Sequence, residues 1–197
     1  MSKNIYLIAG AEGCGKTTFI KNLAALKQFE GMPIICSDMQ AEFLDKNLSY
    51  SERKKLAADI SKKTMQRLVE QNKSFILESP LYDRAELSSL KSFNAFGYTL
   101  RTVYIATSVP VINERRIKKR ALISGEPPIN NLRDLYRKSM KNIKPLIEIS
   151  GEILIYDGSD ADLKKVYSKT ATGEEWIDDR YKVISWVNEF IPGVFKG

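Results

Sequence analysis

The residues best equipped for chemistry stand together near the N-terminus, in Gly10-Ala11-Glu12-Gly13-Cys14-Gly15-Lys16-Thr17, followed by Thr18. This is the phosphate-loop pattern, Gly-x-x-x-x-Gly-Lys-Thr, and the residue types suit the task. Glycines let the backbone take left-handed conformations and come close to a ligand. Successive main-chain N–H groups then form an anion nest at the positive end of the following helix. A lysine at position 16 is expected to reach the β- and γ-phosphates, and the Thr17 hydroxyl to ligate Mg²⁺. The stretch Gly10 to Thr18 is therefore expected to bind a nucleoside triphosphate, ATP or GTP, with magnesium.

Two acids follow at chemically useful places. Asp38 and Glu78 are each the first acid after a predicted strand. In phosphoryl transfer one acid commonly positions the nucleophilic hydroxyl or takes its proton, and another holds Mg²⁺ through water. The chain has no histidine, so a carboxylate is the expected proton acceptor. The densest positive run, Glu114-Arg115-Arg116-Ile117-Lys118-Lys119-Arg120, puts Arg116 and Arg120 on one helical face. Their planar guanidinium forks could clamp a moving phosphoryl group, and a solvated face or a nucleic-acid patch are the other readings. Arg133, Arg137 and Lys141 form a second basic stripe, from which Arg133 is singled out as a substrate-binding candidate.

The elements that must position these groups follow from apolar periodicity. Short apolar runs predict strands over Ile5–Ala9, Ile34–Cys36, Ser74–Leu77, Leu100–Ala106 and Ile153–Tyr156. Helical spacing lies between them: from the phosphate loop to about Lys27, Ser51 to Gln71, Asp83 to Ala95, Val109 to Leu122, and Leu132 to Ile149. Strands alternating with helices imply an α/β fold: a five-stranded parallel sheet with helices on both faces. Ligands bind beyond the carboxyl ends of such strands, which gathers the loop, Asp38 and Glu78 at one edge. The Ser124-Gly125-Glu126-Pro127-Pro128 break suits a short lid over about 115–130. Beyond 160, Val166-Tyr167 reads as a short strand, Gly173 as a turn, and Trp176 to Phe190 as a last helix packed on the core.

At 197 residues, 43% hydrophobic and 28% charged, the chain reads as a single domain over 1–197, with 160–197 as a C-terminal extension. No apolar run approaches the ~20 residues of a membrane span, and the first strand begins within a few residues of the start, so a cytoplasmic protein is expected. Cys14 and Cys36 are too few for a disulfide framework or a thiolate zinc site. A net charge of +7 suits an anionic small-molecule acceptor beside the nucleotide, and equally nucleic acid.

Taken together, the chain resembles the zeta-toxin-like P-loop kinases over residues 4 to 159. The likeness is carried by the phosphate loop, Ser37-Asp38, and Ser74-Phe75-Ile76-Leu77-Glu78-Ser79. It continues through Gly97-Tyr98, Arg116-x-x-x-Arg120, Tyr136-x-x-Ser139-Met140-x-Asn142-Ile143 and Tyr156-Asp157-Gly158-Ser159. The resemblance implies a P-loop fold and transfer of the γ-phosphoryl of ATP or GTP to a hydroxyl, in zeta toxins that of UDP-N-acetylglucosamine. It implies Asp38 as base, Glu78 beside the acceptor, and Arg116 and Arg120 as lid arginines. The chain departs from the family at Ser124–Pro128, and Tyr82 stands where some toxins carry an arginine. An antitoxin partner is not carried over.

Overall fold

The structure, a computed structural model, describes residues 3–124, 127 and 129–191. Its central strand is β1 (Lys3–Ala9), whose Ile5, Leu7, Ile8 and Ala9 are almost wholly inaccessible to solvent. A strand buried on both faces must be apolar on both, which is why this run does not alternate. On one face Ile5 and Leu7 join the main core; on the other Ile8 packs with Ile20, Phe29 and Ile76.

Strand β1 pairs in parallel with β3 (Phe75–Ser79) and with β4 (Tyr98–Ala106). The parallel sheet is completed by β2 (Ile34–Ile35) beside β3 and β5 (Glu152–Asp157) beside β4. The five predicted parallel strands are therefore present, in the order β2-β3-β1-β4-β5. Two antiparallel strands extend the sheet to seven: β6 (Lys164–Lys169) on β5 and β7 (Glu175–Ile177) on β6. The first was expected at Val166-Tyr167, and Gly173 makes the turn between the two.

The helices are α1 (Lys16–Ala24), α2 (Ser37–Glu42), α3 (Tyr50–Glu70), α4 (Arg84–Ala95), α5 (Pro110–Ser124), α6 (Leu132–Lys141), α7 (Ile143–Ile149) and α8 (Ser185–Phe190). Ser49 and Glu52 close a full capping box on α3, and Gln40 of α2 accepts a 2.8 Å bond from Ser61 of α3, which ties the two together. At α4 only half of a capping box forms: Asp83 accepts from the Glu86 N–H at 2.8 Å, while the Glu86 carboxylate turns to the Ser79 hydroxyl.

Three expectations need correction. A short helix, α2, follows β2 directly, so Asp38 lies in a helical first turn rather than at a strand end. The single helix expected over Leu132–Ile149 is two, separated at Asn142, whose side chain donates to the Leu81 carbonyl at 2.9 Å. The helix expected from Trp176 to Phe190 shrinks to α8, because Trp176 is in β7 and Tyr181 in a 3-10 turn. Trp186, Val187 and Ile191 do reach the main core, as does Tyr181. Trp176 stays exposed, with the Lys165 ammonium 4.2 Å from its ring centre.

The segment expected to form a lid begins as the second half of α5; Gly125, Glu126 and Pro128 lie outside the described residues. Among the described residues, no helix is long and apolar enough to cross a membrane.

Candidate active site

The loop after β1 continues the sheet by one bond and then leaves it. The Gly10 N–H donates to the Ser79 carbonyl at 3.2 Å, and the chain turns away at φ 141°. A Cβ on Gly10 would sit 2.2 Å from the Ile105 carbonyl oxygen, so any side chain there collides with β4. A Cβ on Gly13 would meet α5, 3.0 Å from the Asn113 carbonyl. On Gly15 it would meet nothing within 4 Å, because that residue faces the open side of the loop. Gly10 and Gly13 are thus fixed by packing behind the loop, and Gly15 by its left-handed φ of 112° at the start of α1.

Side chains brace the loop from outside. Asn113 Nδ2 donates to the Glu12 carbonyl at 2.6 Å, and the Glu12 N–H donates to the Tyr82 hydroxyl at 3.2 Å. Arg116 lies within 3.5 Å of the Gly13 and Cys14 carbonyls and donates to those of Ser159 and Asp160 at 3.2 and 3.1 Å. Cys14 points inward and is buried; burial raises its thiol pKa, so it carries no charge near neutral pH.

Lys16 is nearly inaccessible, with its ammonium 3.2 Å from Glu78 Oε1, 3.8 Å from Glu12 Oε2 and 3.4 Å from the Ala11 carbonyl. Burial opposes its charge, yet the neighbouring groups, among them Glu78 and Glu12, hold the ammonium above the ordinary lysine range. Glu78 lies inside β3 beside Ile8 of β1. Its other oxygen accepts from the Cys36 thiol at 2.8 Å. Burial first, then Glu78, keeps that thiol protonated.

Glu12 has a second cation: Arg120 donates to its Oε1 at 3.0 Å. One loop carboxylate therefore bridges Lys16 and Arg120. Asp38, opposite on α2, is bonded through Oδ1 to the Lys54 ammonium. Burial works against the Lys54 charge, and Asp38 outweighs it and raises the lysine.

These groups border one open cavity of about 600 Å³. The phosphate loop, Thr17, Thr18, Arg116 and Arg120 line one side, and Asp38, Tyr50, Arg53 and Lys54 line the other. Arg133 lies elsewhere, paired at 2.8 Å with Glu114 beside a different hollow. Arg137 and Lys141 face solvent on α6. The structure thus brings together the loop, Asp38, Arg116 and Arg120, sets Glu78 beneath Lys16, and leaves Arg133 apart. Cys36, Arg53, Lys54, Tyr82 and Asn113 were missed from the sequence. Only Tyr82 carried a signal, as a departure from the family pattern.

The loop fits a polyphosphate. No acceptor among the described residues takes the N–H of Gly13, Gly15 or Thr17, and these stand at the open N-terminal end of α1. No cluster of three or more Cys, Asp or Glu suited to a metal exists among the described residues.

Loop, strand order and bordering acids define a nucleotide-binding protein of the P-loop kinase-like class. Its sequence matches the AAA domain family over residues 5–138, and the chain belongs to that family. No curated protein sequence matches it. Among solved structures, a chain of the native AvrRxo1-ORF1:-ORF2 complex superposes with a TM-score of 0.76 at 15% identity, covering 93% of this chain and 63% of that one. The same complex with ATP gives 0.75 at 17% identity, with the same coverage. This chain therefore spans under two thirds of that protein's length. A chain of the PezAT chromosomal toxin–antitoxin system of Streptococcus pneumoniae gives 0.63 at 20% identity, covering 85% of this chain and 73% of that one. In fold, the chain stands with the zeta-toxin-like P-loop kinases that its sequence resembles.

Proposed function

We propose that this protein is a kinase that transfers the γ-phosphoryl group of ATP or GTP to a hydroxyl of an anionic small molecule. The observation that carries this reading is the cavity with two unlike sides: the phosphate loop with Lys16 and Arg120 on one, and the Asp38 carboxylate on the other. A nucleotide held on the loop would present its terminal phosphate to the space that Asp38 borders.

In the reaction, Asp38 receives the proton of the acceptor hydroxyl. The acceptor oxygen forms a bond to the γ-phosphorus, the bond to the bridging oxygen breaks, and the nucleoside diphosphate leaves with that electron pair. Lys54 is bonded to Asp38 through Oδ1. Lys16 offsets charge on the β- and γ-phosphates, and Arg120 can transfer from Glu12 to the moving group. Arg116 keeps the loop in shape through its carbonyl contacts and supplies a second positive charge at the rim. Magnesium, held by Thr17 and through water by Asp38 or Glu78, would add charge neutralisation on the phosphates. A nucleotide sugar such as UDP-N-acetylglucosamine belongs to the acceptor class so described.

The test is incubation with γ-labelled ATP and GTP against nucleotide sugars, sugars, nucleosides and oligonucleotides. Label should appear on one small-molecule class and vanish with Asp38→Asn. Transfer to the true acceptor that survives Asp38→Asn would remove the base assignment, and no transfer to any acceptor would remove the kinase reading.

A further inference from the structure

The proposed reaction leaves the basic stripe of α6 without a role. Between Pro110 and Ile149 the sequence has ten Lys and Arg against four Asp and Glu, a surplus of six out of the chain's net +7. The rest of the chain is therefore close to neutral. Within this stretch α6 is sharply two-faced. Leu132, Tyr136, Ser139 and Met140 are buried, with the Tyr136 hydroxyl donating to the Thr107 carbonyl at 2.6 Å and the Ser139 hydroxyl bonded to that of Tyr104 at 2.8 Å. Those bonds pin the helix to β4 and leave Arg137, Lys138 and Lys141 exposed, with Lys144 next to them on α7. Lys118 of α5 borders the same hollow as the start of α6. None of Arg137, Lys138, Lys141 and Lys144 is in an ion pair among the described residues, and none lines the cavity at the phosphate loop. The acids described on these helices are Glu114, which is paired with Arg133, and Asp134 and Glu148. Lys138 and Lys141 stand in the last turn of α6, where a cation offsets the helix dipole. Arg137 lies outside that turn, and Lys144 stands at the start of α7, where a cation gains nothing from the dipole.

We infer that the α6–α7 face, with Lys118 beside it, is a binding surface for double-stranded nucleic acid, which it holds by the phosphate backbone without reading bases. Cations set about one turn apart on a fixed helix suit a polyanion, whose successive phosphates engage several of them at once and release the counterions they held. A single strand would use aromatic side chains as platforms for its bases, and the one aromatic residue of α6, Tyr136, is buried. A lipid surface would need apolar side chains beside the cations, and those of α6, Leu132 and Met140, are turned into the protein. Binding on this face needs neither the nucleotide nor a phosphoryl acceptor, so the inference does not rest on the kinase reading.

The experiment uses the full chain saturated with a non-hydrolysable ATP analogue and magnesium, so that the phosphate loop is filled. Binding of a short fluorescent DNA duplex, and of an RNA duplex of the same length, is then followed by anisotropy over a range of salt concentrations. At least one duplex should bind, with log K falling linearly with log salt, and the arm that binds more tightly tells DNA from RNA. Arg137→Gln together with Lys141→Gln should weaken binding at least about tenfold and make the salt slope shallower by roughly two. The charge-keeping pair Arg137→Lys and Lys141→Arg should bind like the parent. Lys62→Gln together with Lys63→Gln, a matching loss of charge on exposed positions of α3, should leave the slope unchanged. An unchanged melting temperature and unchanged affinity for the ATP analogue show that each variant is folded. The proposal is overturned if neither duplex binds, if binding ignores salt, or if the α6 pair of glutamines binds like the parent. It is overturned as well if the α3 pair weakens binding equally. Equal binding of polyglutamate or of phosphatidylserine vesicles would also overturn it, and would make this face a surface for an acidic protein or for a membrane.

Discussion

The phosphate loop is braced by side chains from elsewhere in the fold, whereas the α2–α3 wall facing it carries, in the Arg53 Nε, a buried nitrogen with no hydrogen-bond partner. Tyr82, just before α4, and Asn113 and Arg116, both on α5, clasp the loop, and Lys16 and Arg120 share a carboxylate of the loop itself. Across the cavity, Lys54 is bonded to Asp38, while the Arg53 Nε is buried without a partner. The difference teaches where specificity resides. A triphosphate is the same in every cell, so its site can be preorganised by fixed contacts. On the proposed reading the acceptor is particular to one enzyme, and the wall that would bind it is not preorganised in the same way.

If the two sides divide the work in this way, single substitutions should separate binding from transfer. The largest effect is expected from Asp38→Asn, which keeps shape and removes the proton acceptor. Transfer should fall by about 10²- to 10⁴-fold with ATP affinity unchanged. Equal losses in both measurements would mean that Asp38 serves the nucleotide. Lys16→Ala should lower transfer by about 10²- to 10³-fold and weaken ATP more than ADP, because the ammonium reaches the terminal phosphates. A Lys16→Ala protein that binds ATP like the parent would show that the loop amides alone hold the donor.

The donor side was legible in the sequence because it is local. Gly10 to Thr18 is one unbroken stretch between a strand and a helix, and each residue type is dictated by a contact or a φ value. The five parallel strands were legible for a similar reason, since burial on both faces leaves continuous apolar runs. The acceptor side is made by register instead. Cys36 meets Glu78 because Ile35 pairs with Leu77, a relation between residues 42 apart that no periodicity announces. Arg53 looked like one more charge on a polar helix, and only the burial of its Nε distinguishes it. The antiparallel β7 escaped because Trp176 has the aromatic character of a core helix, yet it lies on the outer strand under Lys165. The break at Asn142 depends on a bond to Leu81, far away in sequence.

The rigidity ascribed to the donor side can be tested by itself. Gly10→Ala places a methyl group 2.2 Å from the Ile105 carbonyl at a φ that side chains rarely adopt. The backbone of β4 cannot yield, so a loss of about 2–4 kcal/mol in unfolding free energy is expected by denaturant titration. Gly15→Ala meets no neighbour and should cost about 1 kcal/mol or somewhat more, from φ alone. Similar losses at both positions would contradict the account of packing behind the loop.

The smallest expected effect falls where the two sides meet, at Glu12. Its carboxylate holds Lys16 at 3.8 Å and Arg120 at 3.0 Å, the two cations assigned to the terminal phosphate. On that assignment it is an internal anion that the γ-phosphate would have to replace before both cations could turn to it. Glu12→Gln removes the charge and keeps the size, and the Glu12 main chain stays fixed by Asn113 and Tyr82. Arg120 is 40% exposed, so its half of the bridge is screened by solvent, and ATP affinity should rise by only about 2- to 5-fold. The sign of the change in ADP affinity is the sharper readout. ADP lacks the group that competes with Glu12, so its affinity should hardly move, and the ratio of ATP to ADP affinity should increase. A parallel rise for both nucleotides would mean that Glu12 acts through the general field of the loop. A fall for ATP would mean that the bridge positions Lys16 and Arg120 for the phosphate instead of competing with it.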